Sequence, residues 1–183
     1  MSQTIEEMNE EMRKSIGRSK VGRMSKRKGS RFELNLAKQL DLFWKVPKGT
    51  FRRCPLSGGF DARFSGDLIV PNDFPCLIEA KDRESWHFNE LFKEGKGKLL
   101  DWWLEQEKIC SRQNKLALLI FTKKYQPDFI MFGPKLKPIL KFLKYHVKVV
   151  FNGTTTYVTE FDNFMCDDVR DYLKQEGAKY VSI

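Results

Sequence analysis

Three charged residues, Asp67, Glu79 and Lys81, have types and a spacing that suit phosphodiester chemistry. Asp67 begins one short apolar segment, and the other two end the next one, after a turn rich in proline, asparagine and aspartate. Side chains alternate faces along a strand, so Glu79 and Lys81 are expected on one face and Ile78 and Ala80 in the core on the other. The pattern predicts a hairpin that brings Asp67 to the pair.

Two carboxylates at the polar end of an apolar hairpin need a positive partner, because unpaired charges are costly to place against a core. Magnesium prefers oxygen ligands and binds through one or two carboxylates plus substrate phosphate. We therefore expect Asp67 and Glu79 to bind Mg²⁺, with Mn²⁺ as a possible substitute, and the backbone carbonyl of Ala80 to be available to the ion. Lys81 would orient or deprotonate a water, or stabilise negative charge. The alternative is a surface cluster of salt bridges.

A helix upstream carries a fourth acid, Glu33. Ser30 is a plausible N-cap with Glu33 three residues later, which is the spacing of a capping box. Apolar residues at helical spacing form one stripe, namely Phe32, Leu36, Leu40 and Phe43. Glu33 would either cap this helix or act in catalysis, by holding a second ion or positioning a water.

The composition describes one basic domain with a substantial core. The chain has 183 residues, of which 41% are apolar, and a formal net charge of +9. Such a charge suits a polyanionic partner. No apolar run is long enough to cross a bilayer, and the first residues are polar and acidic, unlike a signal peptide. The chain is therefore expected to be a soluble cytoplasmic protein of a bacterial or phage-infected cell, without a membrane partner.

Basic residues near the acidic hairpin suggest contacts with nucleic acid. A glycine-rich segment before the hairpin has arginines at its edges, and glycine permits close approach while arginine matches phosphate oxygens. The residues expected to contact nucleic acid are Lys28, Arg31, Arg52, Arg53, Ser57 and Arg63. An ordinary surface loop, and a merely solubilising basic tail, are the alternatives.

Further elements must support the hairpin. A helix over 98–112 carries Gln106, which would reach the site without binding the metal directly. Apolar strands follow at 116–121 and 129–132. A basic helix is predicted over 136–145, then two strands and a final helix. This organisation predicts a flexible basic arm over 1–28, a core over 29–133 and an α/β extension over 134–183 packed on the core.

The motifs resemble the PD-(D/E)xK nuclease superfamily. Gly66-Asp67 stands at the Pro-Asp position, and Glu79-Ala80-Lys81 forms the (D/E)xK element. The segments 28–33 and 53–58 resemble the opening helix and the loop of archaeal-type and phage Holliday junction resolvases. The likeness covers about 28–132, and glycine in place of proline is its one departure.

The resemblance implies a restriction-endonuclease-like αβββαβ core of the α/β class, with a mixed central sheet flanked by helices. It also implies Mg²⁺-dependent DNA hydrolysis that leaves 5′-phosphate and 3′-hydroxyl ends. In the resolvase branch it implies a homodimer that cuts a four-way junction, with Glu33, Asp67, Glu79 and Lys81 as the catalytic set. Other nucleases with this core, whether restriction-like, repair or RNA-directed, and a non-catalytic nucleic-acid-binding module are the alternatives.

Overall fold

The computed structural model describes residue 24 and residues 27–54, 66–92, 97–151 and 153–181. Helix α1 covers residues 27–44. The next elements, up to the second strand of the main sheet, are β1 (Arg52–Arg53), β2 (Leu68–Ile69), β3 (Cys76–Asp82), a 3₁₀ helix (Phe88–Phe92), α2 (Lys98–Arg112) and β4 (Leu116–Thr122). The remaining elements are β5 (Phe129–Phe132), a 3₁₀ helix (Pro134–Phe142), β6 (Val147–Phe151), β7 (Thr154–Glu160), α3 (Phe161–Phe164) and α4 (Asp167–Val181).

The main sheet has five strands in the order β3-β4-β5-β7-β6. β3 and β4 run parallel, as expected when a helical crossover such as α2 joins them, and the other neighbouring strands are antiparallel. This is the predicted mixed sheet, and the element order from α1 to β4 is the predicted αβββαβ. The chain beyond residue 133 contributes β6 and β7 to the same sheet. The proposed division at that residue stays a prediction.

Helices cover both faces of the sheet. On one face, buried residues of α1 pack with Ile78 and Ala80 of β3, and this cluster extends to Leu173 of α4. On the other face, Trp103 of α2 packs with Phe121 of β4 in a second cluster. Because Ile78 and Ala80 of β3 belong to the first cluster, the alternation along the strand directs Glu79 and Lys81 to its other face, which is what the site requires.

Two local predictions, on the start of α1 and on the acidic hairpin, were wrong. Ser30 does not cap α1, because the residues from 27 onward are already helical and Ser30 lies inside the helix. The two strands of the acidic hairpin do not form a regular ladder, because β2 pairs with β1 in a separate two-stranded sheet.

The basic helix predicted over 136–145 is present over 134–142, and its type and end differ from those of a regular α-helix. The segment Pro134–Phe142 is a 3₁₀ helix with Pro138 inside it. Proline lacks the N–H that an α-helix interior requires, so this segment cannot continue as a regular α-helix.

Candidate active site

Asp67 lies against the free edge of β3. Its backbone N–H donates to the carbonyl of Ile78 at 2.9 Å, and its Oδ2 accepts the N–H of Ala80 at 2.9 Å. The side chain therefore takes the place that a neighbouring strand would occupy in a ladder. This pair of bonds brings the carboxylate to the segment that carries Glu79 and Lys81, as the sequence predicted.

Gly66 makes this close approach possible. Its φ is +125°, a region that side-chain-bearing residues rarely adopt, and a Cβ placed there would lie 2.9 Å from the carbonyl oxygen of Ile78. Proline fixes φ near −65° and could not take this conformation. The backbone geometry thus explains why glycine stands where the nuclease motif has proline.

Glu79 and Lys81 share the other face of β3, whereas Ile78 and Ala80 are buried in the core, as predicted. The Lys81 ammonium bonds to Glu79 Oε1 and lies 3.9 Å from Asp67 Oδ2, so one cation bridges the two carboxylates. Burial is the main cause that raises the pKa of Glu79 to about 7, and the Asp67 charge adds to it, while Lys81 acts in the opposite direction. A cation bound beside Asp67 and Glu79 would favour the charged form of both carboxylates.

The donor atoms at this edge fit a hard divalent cation. They are the carboxylate oxygens of Asp67 and Glu79 and the carbonyl of Ala80. In an extended strand a residue's carbonyl points to the same side as its N–H, so the Ala80 carbonyl faces the edge where Asp67 lies. Across the described ranges, no three or more His, Cys, Asp or Glu side chains form a group that could hold a metal ion. Two carboxylates remain sufficient for Mg²⁺ when substrate phosphate and water complete the shell.

Glu33 reaches the same region from α1 and is held by Arg53. Arg53 Nε donates to Glu33 Oε2 at 2.5 Å, and the Glu33 side chain is buried. Burial is the main cause that raises the pKa of Glu33. The Arg53 hydrogen bond acts to lower this pKa, and the charge of Asp67 acts to raise it further. The charges of Asp67 and Lys81 therefore both act on Glu33, and their effects on its pKa are opposite in direction.

Another buried carboxylate, Asp41, holds the segment that leads into β1, the strand that carries Arg53. It accepts the N–H of Gly49 at 2.7 Å and that of Phe51 at 2.8 Å. Sequence reasoning did not find the Asp41 or Arg53 partnerships. The signal for Asp41 was an acid at the end of a helix with a glycine turn after it.

The other predicted site residues are distributed around this centre. Gln106 is buried and donates to the carbonyl of Leu77 at 3.2 Å, so it supports the backbone of β3. Lys28 lies 2.7 Å from Asp82 and 2.7 Å from Glu84, which links α1 to the end of β3.

Arg31 and Arg52 are exposed, which leaves both available to a polyanion. Ser57 and Arg63 lie outside the described residues. Contacts of any of these residues with nucleic acid stay predictions.

A comparison with protein families gives one match, to the family described as "Phage putative PDDEXK endonuclease", over residues 24–174. The chain belongs to this family. It is therefore a PD-(D/E)xK nuclease, and such nucleases generally use divalent metals. The match includes the strands after residue 133, for which the sequence motifs had suggested no counterpart. Neither the curated proteins nor the solved structures contain a match.

The structure also bears on membrane association. No helix among the described residues is long and apolar enough to span a membrane.

Proposed function

We propose that this nuclease is a Mg²⁺-dependent DNA endonuclease that selects branched DNA, and that a homodimer of it cuts four-way junctions. The observation that supports the hydrolytic part is the convergence of Asp67, Glu79 and Lys81 at the free edge of β3. The distances around Lys81 are those of one cation shared by two carboxylates. A resting site of this kind suits a scissile phosphate, whose own negative charge needs compensation.

Each residue has a role that its contacts allow. Asp67, oriented by the Ala80 N–H, and Glu79 would hold the ion together with the Ala80 carbonyl. When bound, Mg²⁺ supplies charge neutralisation at the phosphate and a lowered pKa for a coordinated water. Lys81 would hold the attacking water or stabilise developing negative charge. Hydrolysis forms a bond from the water oxygen to phosphorus and breaks the bond to the 3′ oxygen, which leaves as a hydroxyl.

Glu33 would act at the margin of this set. Arg53 holds its carboxylate, and Asp67 and Lys81 influence it only through their charges. These contacts suit a group that positions a water or a second ion.

Junction selection is supported by the sequence rather than by the geometry of the site. The segment 28–33 resembles the opening helix of the resolvases, and the net charge of +9 suits a large polyanion. Two symmetric cuts require two active sites, which a two-fold homodimer supplies. Restriction-like, repair and RNA-directed activities are the competing substrate assignments.

The test is nicking of an immobile four-way junction in Mg²⁺, compared with linear duplex, flap and RNA substrates of equal length. The wild type should cut the junction fastest, and Glu79→Gln should slow cutting by about 10²- to 10⁴-fold, the range typical of a lost catalytic group. Glu160→Gln is the matched control, because Glu160 lies on β7 and its carboxylate accepts an exposed hydrogen bond from the Tyr145 hydroxyl. Equal cutting by wild type and Glu79→Gln would contradict the proposed site, and faster cutting of another substrate would reassign the activity.

A further inference from the structure

The loop that joins β4 to β5, residues 123–128, lies at the same end of the sheet as the catalytic lysine. β3 and β4 are parallel, with Lys81 paired to Phe121 and Asp82 to Thr122. The Arg83 N–H donates to the Thr122 carbonyl at 3.1 Å, so the two strands end together. The loop therefore begins where the site ends.

Tyr125, at the tip of this loop, has a backbone conformation that is unfavourable for most residues. The turn is closed by the Gln126 N–H donating to the Lys123 carbonyl at 3.1 Å, and Tyr125 is its third residue, with φ of +63°. Glycine or asparagine is favoured there, because a positive φ is sterically unfavourable for most other residues. The aromatic side chain is nevertheless 88% exposed, so core packing does not account for it.

The turn is anchored on both sides. The Lys124 N–H donates to Glu84 Oε1 at 3.2 Å, and the same carboxylate oxygen binds Lys28 of α1. The Lys123 ammonium donates to the Trp86 carbonyl at 3.2 Å and lies 4.7 Å from the centroid of that indole ring. The exposed ring thus stands on a turn that both α1 and the segment after β3 hold in place.

A positive charge lies over one face of the Tyr125 ring. Lys124 Nζ is 4.5 Å from the centroid of the Tyr125 ring. An exposed aromatic face next to an ammonium is the combination that single-stranded nucleic acid uses, because bases stack on the ring and phosphate pairs with the charge.

Resting on the proposed function, we propose that Tyr125 stacks on an unpaired or unstacked base beside the cut strand, while Lys124 contacts a neighbouring phosphate. Tyr125 is four positions after Phe121, the residue paired with Lys81, and four extended residues span at most about 14 Å. This distance corresponds to about four base steps along DNA. An intact duplex offers no free base face except at its ends. The contact therefore favours DNA with a branch point, bulge or gap over continuous duplex.

The test compares Tyr125→Gly with Tyr125→Trp and Lys124→Gln in metal-free binding to a junction and to a hairpin-capped duplex of equal length. Tyr125→Gly should weaken junction binding by about 5- to 150-fold, the range for one lost stacking contact, and leave duplex binding unchanged. Tyr125→Trp should retain the preference. Lys124→Gln should weaken binding to both substrates and lower the slope of the salt dependence of binding by about one ion.

A direct readout is 2-aminopurine placed at the branch point, whose fluorescence should fall on binding to wild type and not to Tyr125→Gly. Glycine relieves the positive φ, so Tyr125→Gly should fold at least as stably as wild type in urea, and lost binding would not reflect unfolding. Equal junction binding by wild type and Tyr125→Gly, or equal loss on both substrates, would overturn the inference. Nicking that still depends on Glu79 would then leave the nuclease assignment intact.

Discussion

The two edge strands of the main sheet, β3 and β6, differ in what meets their outer side. At β3, the Asp67 backbone and carboxylate bond to Ile78 and Ala80, and charged side chains gather around them. At β6, Val147 and Val150 are 47% and 61% exposed, and within the described part of the chain no strand pairs with the outer side.

Every sheet edge exposes unpaired N–H and C=O groups, which proteins cover or protect with charge. In this protein one edge is covered by a side-chain carboxylate in place of a strand. The same hydrogen bond that satisfies the Ala80 N–H also positions a ligand atom for the site. The comparison teaches that a charged side chain can cover a sheet edge and at the same time bring together the charges of the proposed site.

The largest expected effect comes from separating the structural and chemical roles of Asp67. Asp67→Asn keeps an acceptor for the Ala80 N–H but removes the charge, so cutting should fall by about 10²- to 10⁴-fold with little change in stability. Asp67→Ala should lose the same activity and also about 1 to 3 kcal/mol of unfolding free energy, because a buried N–H loses its partner. Urea unfolding and junction nicking measure the two effects. Equal stability of the two variants would show that the edge does not need this acceptor.

A smaller effect is expected where Arg53 holds Glu33. Arg53→Met removes the donor from a buried carboxylate and should lower the unfolding free energy by about 2 kcal/mol, the scale of a hydrogen bond to a charged group. Its exposed neighbour provides the matched control, and Arg52→Met should change stability by less than about 0.5 kcal/mol.

The double variant Arg53→Met with Glu33→Gln should recover part of that loss, since the unpaired charge is gone. Urea denaturation of the wild type, Arg53→Met, Glu33→Gln and the double variant measures this coupling. Strictly additive losses would mean that the two side chains do not stabilise each other.

The smallest effect is expected at the opposite edge. Val150→Lys places a charge on an exposed position of β6 and should change the unfolding free energy by no more than about 0.5 kcal/mol, with unaltered nicking. Equilibrium unfolding and the nicking rate are the measurements. A large loss of activity would show that β6 takes part in function, and a changed sedimentation coefficient would assign this edge to the dimer contact.

Local patterns predicted the elements that local interactions determine. The limits of α2, Lys98–Arg112, follow from its apolar stripe and the glycine before it, and the alternation from Ile78 to Lys81 follows from strand geometry. Two residues of the proposed site, Glu79 and Lys81, could therefore be oriented relative to each other from the sequence alone.

Long-range partner choice could not be predicted in this way. Ser30 has a good capping sequence, yet the helix begins earlier, and Lys28 in its first described turns pairs with Asp82 and Glu84, more than 50 positions away. The contact of Arg53 with nucleic acid stays a prediction, but its hydrogen bond to Glu33 could not be predicted from the sequence. In both cases the deciding interaction joins segments whose spatial relation depends on the whole fold.

Gly66 limits the mutational routes open to this motif. Any side chain at that position meets the Ile78 carbonyl, and proline also requires a backbone conformation opposite in sign to the one present. A change from glycine to the proline of the general motif therefore cannot occur alone. It also needs a change in the backbone conformation of residue 66 and in its approach to β3.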